Sequence, residues 1–171
     1  MKIAMIGQKG IPAIYGGIER HVEELSRQLV AKGNEVLVYA RKWYSPSEIK
    51  NMDGIKVIHT GCIKTKHLDA ITHTFTSIID AIKQKPDIIH FHGVGPSLLS
   101  WIPKLFCRKS KIVVTIHCLD RQHLKWGFIA RVALRLGERT AAVFADEQIT
   151  VSKSLQYYYF NEYRKNPTYI P

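Results

Sequence analysis

Two kinds of residue in this chain combine chemistry with placement: histidines that close short apolar runs, and glycines that open a helical pattern. His90 and His92 end the run Ile88-Ile89-His90-Phe91-His92-Gly93, and His117 ends Ile112-Val113-Val114-Thr115-Ile116. An imidazole there can hydrogen-bond a ligand, carry a proton or ligate a metal. One histidine of the H-x-H pair is expected to face the sheet packing and its alternate neighbour the other side. No third ligand accompanies the pair in the sequence, so no metal is expected. Gly16-Gly17 close the loop Gly7-Gln8-Lys9-Gly10-Ile11-Pro12-Ala13-Ile14-Tyr15 at the point where a helix begins. Unobstructed backbone N–H groups at a helix N-terminus receive a phosphate or a sugar hydroxyl. The same glycines also suit a plain tight turn.

A third feature is cationic. Lys125, Trp126, Arg131, Arg135 and Arg139 lie along one amphipathic stretch, with the three arginines at i, i+4 spacing. A basic amphipathic helix with an aromatic near its start suits an anionic membrane surface. An ordinary surface helix with one face on a sheet fits the pattern equally well.

The elements that must position these residues are legible in the periodicity. Strands are expected at Lys2 to Ile6, Glu35 to Tyr39, Ile55 to His59, Ile88 to Phe91, Ile112 to Ile116 and Gln148 to Val151. A helix is expected from Ile18 to about Lys32, with Ile18, Val22, Leu25, Leu29 and Val30 inward and Glu19, Arg20, Glu23, Glu24, Arg27 and Lys32 outward. Gly33-Asn34 stops it. A second helix spans about Leu68 to Lys83, with Ile71, Phe75, Ile78, Ile79 and Ile82 on its apolar face. A short helix runs to about Cys107, bent near Pro103. A longer one runs from about Leu124 to Phe144, and a last one opens at Ser152. Strands apolar on both faces and alternating with helices predict an α/β fold, a doubly wound parallel (Rossmann-like) sheet covered on both sides. In such sheets ligands bind beyond the carboxyl ends of the strands, which is where His92, His117 and Gly16-Gly17 fall.

Composition narrows the partners. The 171 residues predict one domain, and 25 Lys+Arg against 14 Asp+Glu leave a net charge of +11. Nucleic acid, an anionic membrane and phosphorylated small molecules all suit that charge. The three cysteines, Cys62, Cys107 and Cys118, have no CxxC spacing and suggest a reducing cytoplasm. No apolar run reaches the ~18 residues that cross a bilayer, so a soluble or peripheral chain is expected. Two nucleotide motifs fail: no G-x-G-x-x-G follows the first strand, and no G-x-x-x-x-G-K-S/T is present. Dehydrogenase and P-loop readings are therefore disfavoured.

Together these residues resemble the N-terminal domain of the family 4 retaining glycosyltransferases, GT-B in type, especially the rhamnosyltransferase-like and polysaccharide-assembly members. The resemblance is carried by Gly10-Ile11-Pro12-Ala13-Ile14-Tyr15-Gly16-Gly17-Ile18-Glu19, by the His21 to Leu29 helix and by Gly33-Asn34-Glu35-Val36-Leu37-Val38-Tyr39. Asp87 to His92, Val114 to His117 and Thr150 to Leu155 support it. It implies two Rossmann-like domains facing across a cleft, the acceptor held mainly by the first and the sugar nucleotide mainly by the second. Residues 1–171 are then the acceptor-side domain. The linker would follow Tyr169-Ile170-Pro171, so the donor-binding half is expected to lie outside this chain, which is expected to be inactive alone.

The resemblance assigns roles residue by residue. Gly16 and Gly17 match the loop against the donor phosphates and acceptor, and His117 matches the histidine that contacts the donor sugar near the reacting bond. Tyr15, Glu19, His92, Asp120 and Arg121 flank the same edge and are expected acceptor contacts. A nucleotide-sugar is the implied co-substrate, with no cofactor and no metal. The implied acceptor is a saccharide, lipid-linked at the cytoplasmic face of the membrane, and the positive charge would recruit the domain to that face. A non-catalytic α/β module binding a phosphorylated or lipid-linked ligand is the alternative. Specific nucleic-acid binding is disfavoured, because no helix-turn-helix, RNA-recognition or zinc-finger pattern is present.

Overall fold

Short β-branched and aliphatic runs pair in this protein because each is apolar on both faces and can bury itself only inside a covered sheet. The computed structural model describes residues 1–65, 68–122 and 126–171. In chain order its elements are β1 (Lys2–Ile6), α1 (Gly17–Ala31), β2 (Glu35–Arg41), β3 (Asn51–Met52), β4 (Ile55–Thr60), α2 (Asp69–Gln84), β5 (Ile88–His92), α3 (Val94–Ser97), α4 (Trp101–Phe106), β6 (Lys111–Ile116), α5 (Phe128–Phe144), β7 (Glu147–Thr150), α6 (Lys153–Tyr163) and β8 (Thr168–Tyr169). The sheet order is β3-β4-β2-β1-β5-β6-β7-β8, parallel except for the β3–β4 hairpin. The expected Rossmann-like α/β sheet is thus present. Its strand order reverses between β1 and β5, which opens a crevice above their carboxyl ends.

Two cores flank the sheet. One face packs Ile3, Met5, Val36, Val38, Ile55 and Val57 under Val22, Leu25 and Leu29 of α1. The other packs Ala4, Ile6, Leu37, Tyr39, Ile89, Phe91, Ile112 and Val114 against Ile78 and Ala81 of α2, Ala141 of α5 and Leu155 and Tyr159 of α6. No described helix is long and apolar enough to cross a membrane.

Several local expectations change. Glu19 and Glu23 do not face outward on α1; they are 5% and 4% exposed, because their carboxylates serve the preceding loop. On α2 the buried positions are His73, Thr74, Ser77, Ile78 and Ala81, while Phe75 and Ile79 are exposed. The small residues let α2 approach the sheet, and Ser77 is satisfied by the His73 carbonyl and the Thr60 hydroxyl. The chain between β5 and β6 breaks at residues 98–100 rather than at Pro103. Pro103 sits in the first turn of α4, where no intrahelical N–H is needed. The two-residue strands β3 and β8 carry no periodicity and were not expected.

Candidate functional site

The site is built at the crevice from the β1 loop, the first turns of α1 and the ends of β5 and β6. His90 pairs in register with Met5, and His92 with Thr115, so these side chains stand on the face that α1 covers. His90 and His92 therefore share one side of the sheet, contrary to the expectation that they part. Residues two apart on a strand point the same way, and Phe91 between them enters the opposite core.

Four imidazoles gather there. The ring centroids of His90 and His92 lie 4.2 Å apart, those of His92 and His117 5.7 Å, and those of His21 and His117 5.0 Å. His90 Nε2 meets Thr115 Oγ1 at 2.7 Å, His92 Nδ1 faces His117 Nε2 at 3.4 Å, and His92 Nε2 faces Met5 Sδ at 3.4 Å. Burial, followed by repulsion from the neighbouring imidazoles, pushes His90 down to about 3 and His117 to about 4, with His92 also well below the usual histidine value. Burial lowers His21 as well. The cluster is therefore neutral at physiological pH and can exchange hydrogen bonds with a ligand without adding charge.

Sequence reasoning did not assign His21 a role. Its signal was spacing: one helical turn beyond Gly17, it projects from α1 toward the ends of β5 and β6.

The glycine loop is held from beneath by side chains. Lys9 N–H donates to Glu19 at 3.0 Å and Ala13 N–H to Glu23. The Tyr44 hydroxyl accepts from Ile14 and Tyr15 N–H and donates to the Tyr15 carbonyl, while Ser45 donates to the Ile11 carbonyl. Gly16 adopts φ +106°, and a Cβ there would collide with the Glu19 carboxylate. A Cβ on Gly17 would meet nothing within 4 Å. Packing does not require the second glycine, and its absent side chain leaves the helix N-terminus open to a ligand.

The expected acceptor contacts divide. Tyr15 is exposed, with Lys9 Nζ 4.6 Å from its ring centroid. His92 is 1% exposed and reaches a ligand only through the imidazole cluster. Glu19 is occupied by the loop backbone. Asp120 is half-buried, 3.4 Å from the Cys118 sulfur. Arg121 binds Glu138 at 3.0 Å and the Tyr158 hydroxyl at 2.7 Å, inside a network in which Glu138 also accepts from Tyr158 and Tyr163.

Of the cationic residues, Arg131, Arg135 and Arg139 are exposed on α5, and Trp126 is half-buried. Lys125 lies outside the described residues. Along the same helix α5 also exposes Phe128, Ile129, Val132, Leu136 and Val143. Arg135, Arg139, Leu136, Tyr163 and Lys165 are among the residues lining a shallow groove of about 530 Å³. Because α5 packs on the core opposite α1, this cationic surface and the imidazole cluster belong to opposite faces of the sheet.

Solved structures share this fold. Sucrose-phosphate synthase from Thermosynechococcus elongatus superposes with a TM-score of 0.75 at 20% identity, over 99% of this chain and 47% of that one. A putative UDP-N-acetylglucosamine 2-epimerase from Listeria monocytogenes gives 0.58 at 15% identity, over 98% of this chain and 43% of its own. UDP-GlcNAc 2-epimerase from Methanocaldococcus jannaschii gives 0.59 at 12% identity, over 99% and 45%. The chain thus spans about half the length of these proteins. No curated protein matches it at a significant level. The sequence profile of Glycosyltransferase Family 4 matches residues 15–171. That match takes in Gly16-Gly17, the imidazole cluster and every strand after β1, and by it this chain, half of a GT-B fold, belongs to Glycosyltransferase Family 4.

Proposed function

We propose that this chain is the acceptor-side domain of a retaining glycosyltransferase of surface-polysaccharide assembly, moving a sugar from a nucleotide-sugar to a lipid-linked saccharide. One observation carries the reading: the open N-terminus of α1 and His117 border the same crevice, bridged by His21, whose ring centroid lies 5.0 Å from that of His117. In this reading the N–H groups at Gly16-Gly17 receive the donor diphosphate, whose negative charge grows as it departs. The neutral His117 hydrogen-bonds the transferred sugar beside its anomeric carbon and holds it in place. The bond from that carbon to the phosphate oxygen breaks, the acceptor hydroxyl oxygen bonds to it from the same face, and the hydroxyl proton passes to the departing phosphate. No cofactor enters these steps.

The rest of the donor site belongs to a second domain of the whole protein. The exposed arginines and apolar residues of α5 supply a surface for the cytoplasmic face of an anionic membrane, where a lipid-linked acceptor resides.

The test is sugar transfer by the whole protein, assayed with a panel of nucleotide-sugars and extracted lipid-linked acceptors. His117→Ala is expected to lower kcat by about 100-fold or more. Unchanged kcat in the variant would refute the role of His117. Donor binding without transfer would instead point to the non-catalytic module.

A further inference from the structure

We propose that His21, His92 and His117 form a binding site for a divalent transition-metal ion of borderline softness, such as Zn²⁺. Among the described residues these are the only three His, Cys, Asp or Glu side chains whose ligand atoms gather this closely, all within 4.8 Å of one another. They come from three elements, α1 and the ends of β5 and β6, so the fold itself brings them together.

The geometry fits tetrahedral coordination. Zn–N bonds of about 2.0–2.1 Å put ligand nitrogens roughly 3.4 Å apart. His92 Nδ1 and His117 Nε2 already stand at 3.4 Å. His21, on a half-exposed helical face, closes the remaining distance by side-chain rotation.

The tautomer is also set. A thioether sulfur can only accept, so the contact of His92 Nε2 with Met5 Sδ puts the His92 proton on Nε2 and leaves the Nδ1 lone pair facing the cluster. Orienting a ligand imidazole through its other nitrogen is the usual outer-shell arrangement of metal sites. His90, stacked 4.2 Å from His92 and tied to Thr115, restrains that ring further. Three protein nitrogens leave one position open toward the crevice.

The sequence spoke against a metal because H-x-H lacked a third ligand; in the fold His117 and His21 supply the second and third nitrogens beside His92, and His90 is not needed as a ligand. An ion held here occupies His117 Nε2 and so excludes the contact of His117 with a donor sugar. That inhibitory consequence rests on the transfer reading, whereas the site does not.

The experiment uses the untagged chain, stripped with a chelator and titrated with Zn²⁺ by calorimetry, with Co²⁺ as a spectroscopic probe. One Zn²⁺ per chain and the intense visible bands of four-coordinate Co²⁺ are expected. His21→Ala, at a half-exposed position, is expected to keep its circular dichroism while losing more than about tenfold in affinity. His117→Gln should weaken binding comparably. Absence of Zn²⁺ binding by the parent chain, or equal affinity in His21→Ala, would overturn the proposal. Neither readout depends on glycosyl transfer, so this inference and the functional reading fail separately.

Discussion

The Tyr44 hydroxyl grips the backbone of Tyr15 from both sides, accepting its N–H at 3.2 Å and donating to its carbonyl at 2.8 Å, while also accepting Ile14 N–H at 2.9 Å. A single oxygen in the turn after β2 thereby shapes the loop that leads into Gly16. Tyr44→Phe strands two part-buried N–H groups and is expected to cost about 1–3 kcal/mol. Urea unfolding measures the loss, and hydrogen exchange at Ile14 and Tyr15 should quicken more than at the amides of β1 or β2.

Glu138 is completely buried and receives hydrogen bonds from Arg121, Tyr158 and Tyr163, tying α5 to α6 and to the turn after His117. Glu138→Ala removes the common acceptor and leaves Arg121 without its partner carboxylate. A loss of about 3–5 kcal/mol is expected, visible as a lowered Tm. Glu138→Gln, which retains an acceptor oxygen, should lose less.

Gly137 lets α5 lie directly on α3, since a Cβ there would overlap the Val94 carbonyl oxygen. Gly137→Ala is expected to push the helices apart at a cost of about 1–3 kcal/mol despite the better helix propensity of alanine. Equal stability of the variant would show that α5 can shift without loss.

His73 is buried beneath β2, where burial first and the Arg41 guanidinium second push it down to about 4, with Asp69 acting in the opposite sense. Its folded value lies below the unfolded one. Its contribution is therefore fully present above about pH 6.5 and is lost as the pH falls toward 4, because the unfolded chain takes up the proton first. His73→Gln should flatten the dependence of the urea midpoint on pH in that window. An unchanged slope would show that other groups set the acid response.

Vesicle binding tests the α5 surface. Arg135 pairs with Glu162 at 2.7 Å, so its charge is partly spent within the protein. The double variant Arg131→Glu, Arg139→Glu is expected to lower partitioning onto anionic vesicles at least about tenfold, taking roughly 1 kcal/mol per basic residue near the surface. Arg135→Glu alone should do less. Equal binding by all variants at low salt would remove the membrane assignment.

The strands that form the sheet interior were readable because runs such as Ile112 to Ile116 commit locally: β-branched side chains, apolar on both faces, have few other ways to be buried. Alternation with helices then predicts a parallel sheet, and a parallel sheet places His92, His117 and Gly16-Gly17 at its ligand-binding edge. What lay beyond reach required knowing which residue faces which. β3 and β8 exist only through their partners β4 and β7, since two residues carry no period.

Glu19 and Glu23 have the polarity of an outer helical face, yet the orphan amides of the glycine loop draw both inward. Arg121 read as a ligand contact until packing set it against Glu138. His21 looked like one more helical residue until α1 folded over β5 and β6 and made it a neighbour of His92 and His117. By itself, the sequence determined the element types, the parallel α/β class and the edge on which chemistry falls, because these follow from local period and propensity. Only the tertiary structure decided the partners of each buried polar group, because hydrogen bonding and desolvation depend on residues far apart in the chain.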